Sequence, residues 1–283
     1  MKRFLQLFTE HLARTPVKIN CGMVLVCLLL NACALSTSTL PALSREDSSW
    51  IGARIFANEC SLKTACLTSW NTGEDFPSLG IGHFIWYREN QREVFVESFP
   101  QLLDFYESQG VALPAWMAQL EQRNSPWQTR EEFLGDFESP RMQELRTFLD
   151  NTRHVQVSFI IRRMQASLPS LIAASAHPQA MERLFLEISH SETPLGMYAL
   201  IDYVNFKGEG TAVAERYRGE GWGLLQVLEY ILANRDASPL MAQFTKAASD
   251  VLTRRVANSP PERGEQRWIA GWNHRVSSYS ACP

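Results

Sequence analysis

Asn58-Glu59-Cys60 and, after a loop, Phe76-Pro77-Ser78-Leu79-Gly80-Ile81-Gly82-His83-Phe84-Ile85-Trp86 are the segments that decide the fold of this 283-residue chain. Upstream, Ser44-Arg45-Glu46-Asp47 reads as a capping-box helix start, with acidic residues at the positive end of the helix dipole. The helix carries an apolar stripe at Ile51, Ile55, Leu62 and Cys66, and steps of four and three place Glu59 on it. A helical Glu ordinarily points to water. One on an apolar stripe is partly desolvated, which predicts a raised pKa and a carboxyl that keeps its proton near neutrality. The structural alternatives are an i, i+4 pair with Lys63 or a buried hydrogen bond.

Downstream, Asn71-Thr72-Gly73-Glu74-Asp75 is a turn-rich, doubly acidic loop. Leu79, Ile81, His83, Ile85 and Tyr87 then alternate with Gly80, Gly82, Phe84 and Trp86, the period of a strand. The two glycines leave room for a sugar ring or another backbone to approach. From about residue 95 the period turns helical, over about 98–109, 112–122, 129–135, 139–149, 153–174, 178–190, 193–206, 220–234, 238–257 and 263–278. The strongest stripe, Val155, Phe159, Ile160, Met164, Leu168 and Leu171, predicts a central helix. The expected class is mainly α (α+β), a helical domain with a small β-hairpin sheet near its N-terminus. No motif specifies what the helical stretch 95–195 is for.

The N-terminus reads as an address. Lys2, Arg3, Arg14 and Lys18 precede an apolar run at 21–30, signal-peptide length and too short for a bilayer core of roughly 30 Å. Leu30-Asn31-Ala32-Cys33 resembles a bacterial lipobox. That resemblance implies removal of 1–32, a lipid on Cys33, a Ser/Thr tether over 33–43 and one domain over 44–283. Ala34, where inner-membrane retention uses Asp, points to an outer-membrane anchor facing the periplasm.

The chain has a formal net charge of −3, and removing the basic leader leaves it more acidic. Non-specific nucleic-acid binding, which needs clustered Lys and Arg, is thereby disfavoured. Of six cysteines, Cys60, Cys66 and Cys282 remain after Cys33. Were 60–66 helical throughout, a separation of about 9 Å would exceed disulfide reach. A bridge from either to Cys282 would then tie the C-terminus to the first helix, and the pairing stays open. The spacings give no metal motif, and there is neither a phosphate-binding Gly-rich loop nor a Gly-x-Ser-x-Gly elbow. No cofactor is expected.

A helix-borne Glu, an acidic loop, then Ser78-Leu79-Gly80-Ile81-Gly82-His83 resembles the phage-type lysozymes (endolysins) of the lysozyme-like superfamily. Tyr203-Val204-Asn205-Phe206-Lys207-Gly208 resembles their Phe-Asn-x-Gly segment at the cleft edge. The resemblance covers about 50–88 and, more loosely, 195–226. It implies a peptidoglycan-cleaving, muramidase-type glycosidase with Glu59 as general acid, Asp75 or Glu74 as second carboxylate and Ser78 positioning water. The family's loop Asp would fall at Thr72, and its Thr is Ser78 here. Gly80, Gly82, Tyr203, Asn205, Trp222 and Gln226 are the expected substrate-binding residues, with Tyr203 or Trp222 stacking on sugars.

Gly223-Leu224-Leu225-Gln226 looks like the Gly-Leu-Met-Gln of lytic transglycosylases, whose acid is an upstream Glu; Glu209, Glu215 and Glu220 precede it. A single-Glu transglycosylase and an inactive glycan-binding lipoprotein are therefore the alternatives, with chitosan-type polymers a further substrate class. His83, Trp50, Trp86, Trp116 and Trp272 read as packing residues, and Arg254-Arg255 as a solvated face.

Overall fold

The computed structural model describes residues 40–93, 95–120 and 122–281. Cys33, the leader and Cys282 lie outside them. The first helix, α1 (Arg45–Cys60), starts on the expected capping box. The Asp47 amide donates to Ser44 Oγ at 3.0 Å and the Ser44 amide to the Asp47 carboxylate at 2.9 Å. It ends at Cys60, not beyond Cys66, because Ser61 and Leu62 both take left-handed φ values, 46° and 62°. Leu62 therefore leaves the stripe and is 68 % exposed. The chain then doubles back through a 3₁₀ turn (Thr64–Leu67), which brings Cys66 to 5.3 Å from Cys60, Cα to Cα, where the two form a disulfide. The distance argument against this pair fails because the helix stops.

Strands β1 (Thr68–Ser69), β2 (Ser78–Leu79) and β3 (Phe84–Ile85) form an antiparallel sheet, Ser78 pairing with Ser69 and Ile85. The alternating stretch is thus a hairpin rather than one strand, with Gly80–His83 as its turn. Gly80 (φ 69°) has room only for hydrogen: a Cβ would lie 2.4 Å from Gln156 Oε1. That oxygen accepts from the Ile81 amide at 2.9 Å, fastening the turn to a buried helix.

The helices that follow are α2 (Phe99–Ser108), α3 (Ala115–Ala118), α4 (Arg130–Gly135), α5 (Pro140–Asn151), α6 (Arg153–Ala173), α7 (Pro178–Ser189) and α8 (Leu195–Lys207). After a two-stranded ribbon, β4 (Arg216–Tyr217) and β5 (Glu220–Gly221), come α9 (Leu224–Ala233), α10 (Leu240–Asn258) and α11 (Ile269–Ser277). The described residues are mainly helical, with eleven α-helices and a three-stranded antiparallel sheet near the N-terminus. As its stripe predicts, α6 is central: Val155, Phe159, Met164 and Leu171 are buried, and the helix packs on α1, α2, α7 and α8. Trp86 stacks among Phe99, Trp116 and Trp127, so Trp86 and Trp116 are packing residues as expected.

Four further expectations change, the first being the helix predicted over 112–122, which shrinks to the single turn of α3. The helix predicted over 220–234 begins only at Leu224, because Arg218 and Gly219, both at positive φ, close the β4–β5 hairpin. Arg255 is no solvated residue: its guanidinium makes two bonds to the buried Glu265 and lies 4.0 Å from the Trp222 ring centroid. The helix predicted over 263–278 begins as short 3₁₀ turns, and α11 proper starts only at Ile269, which leaves Trp268 half exposed. Among the described residues no helix is long and apolar enough to cross a membrane.

Candidate active site

Glu59 occupies the last turn of α1, on the same face as the buried Ile51 and Ile55, as the helical phase requires. Its carboxylate meets three elements. Oε1 accepts from Asn205 Nδ2 of α8 at 3.1 Å and from Arg275 Nη2 of α11 at 2.5 Å. Oε2 lies 3.3 Å from His83 Nε2, at the end of the β2–β3 turn, where His83 takes φ 45°. Glu59's side chain is 16 % exposed.

Arg275 is in turn fixed by Asp202, which is fully buried in the otherwise apolar α8. Arg275 Nε donates to Asp202 Oδ2 and Nη2 to Oδ1, each at 2.8 Å. Tyr279 and Asn58 complete the Asp202 shell at 2.6 and 3.2 Å. A buried carboxylate persists only when its acceptor sites are filled, and four donor contacts fill them here. Phe206 packs against the Arg275 guanidinium, 4.2 Å from ring centroid to Cζ.

These contacts decide the charge on Glu59. Burial pushes its pKa up, as the apolar stripe implies. The His83 hydrogen bond and the Arg275 charge more than reverse this, leaving it at about 2. The expectation of a protonated resting carboxyl is therefore wrong, because the periodicity of α1 carries no information about a cation arriving from α11. Lys207, between the rings of Phe206 and Trp272 at 3.9 and 3.5 Å, moves the other way: burial, with Arg255 and Arg275 nearby, lowers its amine to about 7.

A cleft of about 550 Å³ opens beside this cluster. Gly82, His83 and Phe84 form one wall, Ile160, Arg163 and Met164 of α6 another, and Ile201, Val204 and Asn205 of α8 a third, with Glu209 on the loop after α8. Glu59 stands one layer behind His83 and Asn205, which touch both it and the cleft. The helical stretch 95–195 therefore contributes to the site through α6, which supplies one wall.

Among the residues expected at the site, the fold brings together Glu59, Gly82 and Asn205. Asp75 and Glu74 do not join them. Asp75 is exposed, and Glu74 is tied back by Trp70 Nε1 on its carbonyl (2.7 Å) and Asn71 Nδ2 on its carboxylate (3.1 Å). Neither touches Glu59 or lines the cleft. Ser78 is buried in the middle strand and Gly80 faces Gln156.

Tyr203 is fully buried and donates to the Trp222 carbonyl at 2.8 Å, and Trp222 is buried against Tyr217 and Arg255, so neither ring can stack on a sugar. Gln226 is a brace: it accepts from the Gly223 amide at 3.0 Å and donates to the Gly210 carbonyl at 3.1 Å. There Gly223 approaches Gly210 so closely that a Cβ would lie 2.1 Å from the Gly210 nitrogen.

Sequence reasoning missed Arg275 and Asp202, and read His83 as a hydrogen-bonded packing residue rather than a catalyst. Asp202 carried a signal, the one acidic residue inside a largely apolar helix. Arg275 carried none. Among the described residues no group of three His, Cys, Asp or Glu side chains is placed to hold a metal. Comparison with known protein families, curated proteins and solved structures finds no match for the chain.

Proposed function

We propose that the chain is a lysozyme-like, peptidoglycan-cleaving glycosidase, held at the outer membrane by a lipid on Cys33 and facing the periplasm. The observation that supports this reading is the Glu59 carboxylate, held by donors from three elements distant in sequence, one layer behind the wall of a cleft of about 550 Å³. With a pKa of about 2, only ~10⁻⁵ of the molecules carry a proton on Glu59 at pH 7. Its role is therefore that of an anion, activating water or stabilising positive charge at the anomeric carbon. The leaving glycosidic oxygen takes its proton from the carboxyl on the cleft wall, Glu209 in its protonated form. Water adds to the anomeric carbon as that bond breaks, and the product is a new reducing end.

Digestion of purified sacculi tests the assignment. Glu59→Gln is expected to lower release of muropeptides by about 10²–10⁴-fold, the usual range for such a group, with a smaller loss for Glu209→Gln. Undiminished release by Glu59→Gln sinks the reading, and anhydro ends in place of reducing ends convert it to a transglycosylase. One observation favours a second reading, a glycan-binding lipoprotein without activity: Glu59 sits behind His83 and Asn205 and is tied to Arg275. Sacculus binding with no product released is its signature.

A further inference from the structure

The segment Glu220-Gly221-Trp222-Gly223-Leu224-Leu225-Gln226 does not reach the Glu59 cleft, but part of it lines a second one. This pocket, about 610 Å³, is bounded by the β4–β5 ribbon, by Leu225, Gln226 and Glu229 of α9, and by Arg254 of α10. It shares no lining residue with the cleft beside Glu59.

Its chemistry is set by two guanidiniums with spare donors. Arg254 Nε is buried with no hydrogen-bond partner among the described residues. Its Nη1 lies 3.4 Å from Glu220 Oε2 and its Nη2 3.5 Å from the Gly221 carbonyl, both at the outer limit of a hydrogen bond. Arg216 repeats the pattern, with contacts of 3.3 Å to the Gly219 carbonyl and 3.5 Å to the Gly210 carbonyl. A guanidinium offers five donors in a planar fork that matches a carboxylate; Arg254 Nε is closed to solvent, but the long contacts of the terminal nitrogens to the Glu220 carboxylate and to three carbonyls leave part of their capacity unused. Two carboxyls, Glu220 and Glu229, line the same pocket; burial raises the Glu229 pKa, while the charges of Arg216 and Arg254 act to lower it. Leu225, Ala174 and Ala233 add an apolar surface suited to methyl-sized side chains.

We propose that this pocket is a second ligand site, separate from the Glu59 cleft, which binds the free C-terminal carboxylate of a short peptide with small side chains through Arg254 and Arg216. The inference does not depend on what the Glu59 cleft does.

Calorimetric titration of the full chain with N-acetyl-Ala-Ala, its C-terminal amide and inorganic phosphate tests it. The acid is expected to bind about tenfold tighter than the amide, the scale of one charge-assisted contact. Arg254→Gln is expected to reduce binding of the acid to the level of the amide. Arg216→Gln, on an exposed strand and safe for folding, is expected to do so in part. Both variants should digest sacculi as the wild type does. Equal binding of acid and amide, no binding of either, or wild-type binding by both variants overturns the proposal. Tighter binding of phosphate than of the dipeptide overturns the carboxylate assignment and makes the pocket a phosphate site.

Discussion

Glu59 and Glu265 each hold a carboxylate against guanidinium groups away from bulk water, and each is held at a pKa of about 2. Glu265 accepts from Arg255 Nε and Nη2 at 2.8 and 3.0 Å, from Arg263 at 3.1 Å and from Tyr217 at 2.8 Å, and is 4 % exposed. Arg255 lies in turn over Trp222, so much of this cluster closes on packed protein. Glu59 has fewer donors, and two of them, His83 and Asn205, also line a cleft. A depressed carboxylate pKa is therefore not in itself the mark of a site. What its donors face on their other side separates a tie between helices from a group that can meet a ligand.

The largest effect should come from the charge behind Glu59. Asp202→Asn leaves Arg275 with Glu59 as its one carboxylate and weakens the bonds from Tyr279 and Asn58. A cost of about 3–5 kcal/mol is expected, as for other broken buried pairs, measured by urea unfolding. Arg255→Met leaves Glu265 with Arg263 and Tyr217 as its donors and should cost somewhat less, with glycan cleavage unchanged per folded molecule. A loss below about 1 kcal/mol for Asp202→Asn would place that pair with surface salt bridges.

Acid pH gives the next effect. Both carboxylates are lowered from 4.5 to about 2, so their contribution is complete above pH 4.5 and is lost as pH falls through about 2. Each shift corresponds to about 3 kcal/mol. Glu265→Gln should flatten the stability curve between pH 4.5 and 2 by that amount, and Glu59→Gln should do the same independently. A Glu265→Gln curve parallel to the wild type would remove the basis for pairing the two sites.

Most of the helical frame could be read in the sequence, because apolar spacing in α5, α6, α7, α8 and α10 reports directly on burial. The capping box at Ser44, the central α6 and the position of Glu59 on α1 follow from such local rules. What could not be read depends on contacts between distant segments. The end of α1 at Cys60 rests on two non-glycine residues in left-handed conformation, which no propensity marks. The charge on Glu59 depends on Arg275, far along the chain. Trp222 and Tyr203 looked like sugar platforms because sequence shows aromatic character without saying which way a ring faces. Asp75 looked like a second carboxylate because its loop is the right kind, but Trp70 and Gln91 fold that loop away from the cleft.

The smallest effects come from the donors other than guanidinium groups, and they discriminate most finely. Tyr217→Phe removes one hydrogen bond from Glu265 and should cost about 1 kcal/mol, with no change in any pH profile of activity. His83→Ala removes the partner of Glu59 on the open side. Its stability cost should follow the rise in the Glu59 pKa, about 1.4 kcal/mol for each unit. Without its hydrogen bond, the Glu59 pKa rises from about 2. If Glu59 acts as an anion, activity is lost as pH falls through that pKa, so the acid limb of the profile must move to higher pH in His83→Ala. A limb that stays in place while activity drops would mean that His83 touches the substrate itself. A limb that moves to lower pH would mean that the carboxylate being titrated is not Glu59.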